Sequence, residues 1–166
     1  MRILPNVCGV ATAIIALSAM APSAVAQGMY NCQDIGWGGG PPEPLGDREG
    51  HGIAVNQYSC RIDSGPMSGG VATGTVIWEW DGPNAVERSN IGVARKPGAT
   101  VVYQGTGGNL ALTMADGKVT GVTASGKGVN LIATGSAASL AGKPYAWTLK
   151  PTGPMTWTAD SIEGTQ

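Results

Sequence analysis

Residues 71–81, Val-Ala-Thr-Gly-Thr-Val-Ile-Trp-Glu-Trp-Asp, limit what this chain can fold into more than any other stretch. Ala72, Gly74, Val76, Trp78 and Trp80 fall on one face, and Val71, Thr73, Thr75, Ile77 and Glu79 on the other, which is the period-2 separation of a β-strand. Asp81-Gly82-Pro83-Asn84 stops it, because Gly and Asn tolerate positive φ and Pro cannot donate to a ladder. The same device recurs. Further strands are predicted over 53–62, 85–94, 99–104, 109–115, 118–124, 129–134, 145–149 and 155–162, with glycine-rich breaks at 105–108 and 125–128. Asp116-Gly117 is the sharpest hairpin signal, since a type I′ turn needs positive φ at both central positions. Only residues 136–140 look helical, for one turn at most. About eight strands at short, regular spacing predict an all-β fold: an antiparallel up-and-down meander closed into a small β-barrel, with a β-sandwich as the alternative. Short connections favour neighbouring strands, and closure removes the edges that a Gly-rich sheet would expose.

The ends of the chain read differently. Arg2, the apolar run 10–20 and Ala24-Val25-Ala26 have the form of a secretory signal peptide over 1–26, so the mature chain is expected to begin at Gln27 in a secreted or periplasmic setting. The apolar run is shorter than the roughly 20 residues of a spanning helix, and Pro22 interrupts its end, so no membrane span is expected after the leader is removed. Cys8 would leave with it. Residues 27–50 include Gly36-Trp37-Gly38-Gly39-Gly40-Pro41-Pro42-Glu43-Pro44 and have no period, so they read as an irregular arm in front of a barrel domain over 51–166. Cys32 and Cys60 remain as an even pair in an exported chain and are expected to form a disulfide. A metal or redox pair lacks both CxxC spacing and nearby ligands, and no metal or cofactor is expected.

With a net charge of −1 and no basic stripe, nucleic acid is disfavoured as a partner. Phe is absent and Gly numbers 27, so core volume falls to Val, Ala, Leu, Ile and Trp. The sequence sets no oligomeric state.

From Gly52 to Ile162 the pattern resembles small secreted or lumenal barrels such as the allene oxide cyclase and dirigent group, with avidin and the lipocalins more distant. Tyr103-Gln104-Gly105-Thr106-Gly107-Gly108 looks like the Gly-rich turn of dirigent-type barrels, although no aromatic residue follows it here. The resemblance covers architecture and no catalytic motif. It implies an interior that holds a small apolar molecule.

Several residue groups bear on chemistry. Residues 121–128 approach a phosphate-binding loop, but Gly128 stands where a hydroxyl should bind Mg²⁺ and a strand follows where a helix should; a glycine hairpin with exposed Lys127 is the plainer reading. His51 is the sole histidine, beside Asp47 and Glu49, and reads as a surface residue near carboxylates. There is no Gly-x-Ser-x-Gly elbow and no His-Glu-x-x-His, and no catalytic residue is assigned. Glu79 and Asp81 share a strand face as paired carboxylates, more in keeping with a solvated strand end than with glycoside hydrolysis. Tyr58, Glu79, Arg95 and Tyr103 lie on separate strands and could converge inside a barrel, and Trp78 and Trp80, with Trp147 and Trp157, could fill the core or stack a sugar or other flat ligand. The ligand-binding set expected from sequence is thus Tyr58, Trp78, Glu79, Trp80, Arg95 and Tyr103. The function expected is a non-enzymatic barrel that binds a small apolar or amphipathic molecule or a sugar, or serves as an envelope interaction module. The alternative is an isomerase or cyclase like the allene oxide cyclase barrels. An ionisable group deep in a cavity would favour the enzyme, and an interior packed solid would favour a structural role.

Overall fold

The computed structural model describes residues 27–35 and 41–164, so residues 1–26, expected to be a leader, with Cys8, and also Trp37, lie outside the described residues. The chain forms β1 (Gln27–Ile35), β2 (Glu43–Pro44), β3 (His51–Ile62), β4 (Val71–Asp81), β5 (Asn84–Lys96), β6 (Ala99–Ala115), β7 (Lys118–Gly135), a single 3₁₀ turn (Ala138–Leu140), β8 (Pro144–Gly153) and β9 (Thr156–Glu163). From β3 to β9 each strand pairs antiparallel with the next. β1 pairs with β9 on one side and β3 on the other, which closes an eight-stranded barrel, and β2 takes the remaining end of the same β3 edge. The all-β barrel expected from sequence is the observed fold, and the sandwich alternative falls away.

Local chemistry sets the corners. Asp116 and Gly117 both take positive φ, 49° and 72°, between the paired residues Ala115 and Lys118, the hairpin the sequence predicts. The β4 pattern is also observed over its full length, with Ala72, Val76 and Trp78 buried.

Two sequence readings need correction. Residues 27–35, read as part of an irregular arm, are the strand that completes the barrel. Gln, Gly, Asn and Asp are weak strand formers, but β1 is laddered on both edges, and pairing overrides propensity. The glycine clusters at 105–108 and 125–128, read as turns, lie inside the long strands β6 and β7, where they face one another as Gly105↔Gly128 and Gly108↔Gly126. The dirigent-like turn and the phosphate-loop-like motif are therefore strand backbone.

One end of the barrel is plugged. Met67 from the β3–β4 loop and Ala137 and Leu140 at the 3₁₀ turn pack on Cys32, Cys60, Ile62, Ala72, Ala94 and Val101. At the other end Pro151, Gly153 and Met155 are exposed around the mouth of the interior. The Cys32–Cys60 disulfide joins directly opposed residues of β1 and β3, at the closing seam.

Candidate functional site

The interior holds a cavity of about 390 Å³. Its wall contains every tyrosine of the chain, Tyr30, Tyr58, Tyr103 and Tyr145, and the tryptophans Trp78, Trp80, Trp147 and Trp157. The glycines explain how so many rings fit. Tyr58 lies directly across from Gly74, Tyr103 from Gly92, Trp147 from Gly126 and Tyr145 from Gly128. In each pair a Cβ on the glycine would collide with the ring opposite. Each ring thus lies flat on bare cross-strand backbone, the arrangement by which aromatics compensate for glycine in sheets. The rings then meet edge to face: Tyr58–Trp157 at 6.4 Å, Trp78–Trp147 at 6.5 Å and Tyr103–Tyr145 at 6.3 Å between centroids.

A polar thread crosses this apolar wall. The Tyr58 hydroxyl donates to Asn90 Oδ1 at 2.8 Å and lies 3.1 Å from the Tyr103 hydroxyl, and Asn90 Nδ2 donates to Glu87 Oε2 at 3.4 Å. The thread stops at Glu87, whose Oε1 is buried without a protein partner. Two other buried polar atoms share that condition, the indole nitrogens of Trp80 and Trp147, and both rings line the same cavity. Burial raises the Tyr30 and Tyr58 hydroxyls to about 12, and the Tyr103 and Tyr145 hydroxyls are pushed up for the same reason. These phenols are neutral donors at any ordinary pH. Burial also raises the Glu87 carboxyl, with the Asn90 bond opposing, and lifts Asp34 to about 6 against its bond from Asn56. Glu163 is raised by burial, and Asn130 Nδ2, donating at 2.7 Å, and Ser161 oppose the shift. Among the described residues, no Lys, Arg or His lines the cavity.

Of the residues expected to bind ligand, the structure brings Tyr58, Trp78, Trp80 and Tyr103 to the cavity wall and leaves Glu79 and Arg95 outside it. Glu79 corrects simply, because the alternation that turns Trp78 and Trp80 inward sends Glu79 out. Arg95 is turned outward by a bulge. The β4–β5 register shifts between Ile77 and Trp78, where Ile77 faces Ser89 and Trp78 faces Glu87, so Arg88 is the extra residue. Ala85 and Glu87 point inward before the bulge and Asn90 and Ala94 after it, which exposes Arg95. Glu87, which lies just before the slip, is the most consequential residue that the sequence reading missed. Its spacing from buried Ala85 was the only signal for it. Asp34, Asn130 and Glu163 gave none, because their burial depends on strand neighbours remote in sequence.

Glu79 belongs to an outer ionic cluster. His51, 9% exposed, faces Asp47 Oδ1 from Nδ1 at 2.5 Å and Glu79 Oε1 from Nε2 at 3.0 Å. Arg88 Nε donates to Glu79 Oε2 at 2.5 Å, and Arg48 bonds Asp47 and Asp81 at 3.1 and 2.9 Å. Glu79 and Asp81 are each engaged by arginine on the outer wall, which is no arrangement for glycoside cleavage. Among the described residues no cluster of His, Cys, Asp or Glu has the make-up of a metal site.

With a carboxylate at each ring nitrogen, the charged form of His51 is favoured: the bonds to Asp47 and then Glu79 raise its pKa above the ordinary value, while Asp47 is lowered by His51 and Glu79 falls to about 2, chiefly through Arg88. The His51 contribution to stability is therefore complete below about pH 6.5 and is lost as pH rises through the raised folded-state value. Thermal unfolding of wild type and His51→Gln across pH should show a gap widest at pH 5.5 and closing toward pH 9. A gap that grows with pH would contradict a charged His51.

No protein-family model matches the chain, and comparison with curated proteins and with solved structures finds no match to either.

Proposed function

We propose that this barrel is an exported binding protein that takes one small apolar or amphipathic molecule into its interior. One observation carries the reading: among the described residues, the three side chains that bury a polar atom without a protein partner, Trp80, Glu87 and Trp147, all line a single aromatic-lined cavity of about 390 Å³. That volume falls within the roughly 300 to 1,000 Å³ of ordinary ligand sites, and unpaired buried polar atoms are scarce enough in folded proteins to call for a partner. The disulfide supports an oxidising compartment, in keeping with the leader-like N-terminus. The likeness to allene oxide cyclase and dirigent barrels rests on the same architecture and adds an apolar ligand as a shared expectation.

Glu87 favours a second reading, an isomerase or cyclase, because a buried carboxyl of raised pKa beside apolar walls is poised for proton transfer. One experiment separates the two. The natively purified protein is titrated with aliphatic, aromatic and sugar compounds while tryptophan emission is followed, and any bound compound is recovered and analysed. Binding predicts a saturable change in emission and recovery of the compound unaltered, whereas an isomer of equal mass identifies the enzyme. Silence across the panel overturns both readings, since four of the reporting rings stand on the wall.

A further inference from the structure

Resting on the binding reading, we infer that the interior of this barrel selects an organic cation: a molecule with an apolar body and a protonated nitrogen that Glu87 accepts beside the tryptophan rings. Three carboxyl groups, Asp34, Glu87 and Glu163, line a cavity that has no cationic side chain among its described lining residues. Two of them have neutral partners inside the barrel, Asp34 with Asn56 and Glu163 with Asn130 and Ser161. Glu87 differs. It is 6% exposed, one oxygen receives only the long bond from Asn90, and the other has no partner.

A buried carboxylate is offset best by a cation in direct contact, and an anion in the same space would add repulsion to desolvation. The surroundings suit such a cation. A Cβ on Gly108 would stand 2.8 Å from Trp147 Cζ2 and 3.3 Å from Glu87 Oε2, the oxygen that Asn90 reaches, while the partner-free Oε1 lies over Gly105, so the indole and the Oε2 side of the carboxylate converge over Gly108. A group seated at Glu87 therefore comes against Trp147, and Trp78 packs edge to face on that ring. Indole is the best of the side-chain surfaces for a cation. A carboxylate with tryptophan beside it, inside an apolar wall, recognises an amine by charge, by donated hydrogen bond and by ring face together.

The test uses the mature, disulfide-bonded protein and three probes with one apolar body: 1-adamantylmethylammonium, 1-adamantanemethanol and 1-adamantanecarboxylate, which leave tryptophan emission unobscured. The expected order is amine tightest, by about tenfold over the alcohol, with the carboxylate weakest. In Glu87→Gln the amine-to-alcohol ratio should fall to about one. An alcohol that binds as well as the amine, or a Glu87→Gln protein that keeps the preference, overturns the inference and leaves the binding reading intact. If none of the three binds, the cavity reading fails and the inference with it. The ranking on the unaltered protein decides the matter even if Glu87→Gln does not fold.

Discussion

Replacing Cys32 and Cys60 together with alanine should lower the unfolding free energy by roughly 3 to 4 kcal/mol, the largest effect expected of any conservative change in this barrel. The two half-cystines face each other across β1 and β3 with a sequence separation of 28, so the bridge removes the closure entropy of a loop of that size from the unfolded chain. Position adds to the consequence. This seam is where the first strand returns to complete the sheet, and β1 is the element whose own residues favour it least. Urea unfolding of the alanine pair, compared with wild type at constant m-value, measures the loss, and the melting temperature should fall by roughly 10 °C. A loss under about 1 kcal/mol would mean that the β1 ladders alone hold the seam. Both cysteines also line the cavity, so the same variant should bind interior probes more weakly.

Gly128→Ala should cost about 2 to 3 kcal/mol, although it adds a single methyl group. The new Cβ would meet the Tyr145 ring and stand 2.5 Å from the Gln104 carbonyl oxygen, so neither ring rotation alone nor backbone shift alone relieves it. Coupling makes the argument testable. In a Tyr145→Ala background the ring is gone, and the same substitution should cost less by about 1 to 2 kcal/mol; additive losses would show that the glycine does not serve the ring. A four-variant cycle read by denaturant unfolding decides this. The parallel cycle at Gly126 and Trp147 should couple in the same direction, because that Cβ would stand 2.6 Å from Trp147 Cζ2.

These pairs also show why part of the chain was illegible as sequence. A glycine cluster is ordinarily punctuation, and 105–108 and 125–128 carry the composition of turns. Here Gly108, Gly126 and Gly128 are places where wide inward rings need a neighbour with no side chain, and nothing local distinguishes the two uses. The candidate site shows a similar division. Tyr58, Trp78, Trp80 and Tyr103 could be placed inward because alternation holds within each of their strands up to the ring. Arg95 could not, because a single extra residue, Arg88, reverses the phase of everything after it in β5. In an unbroken strand Glu87 and Arg95 would share a face, and the bulge between them puts them on opposite ones.

By itself the sequence determined the all-β class, the strand of residues 71–81, the hairpin at Asp116-Gly117 and the cysteine pair, because period-2 alternation, positive φ and cysteine count are properties of short segments or of composition. Only the tertiary structure decided that residues 27–35 close the barrel, that the glycines seat the rings, and that one oxygen of Glu87 is buried without a partner. Each of those depends on which backbone lies 5 Å away across a ladder, a distance fixed by strands far apart in the chain.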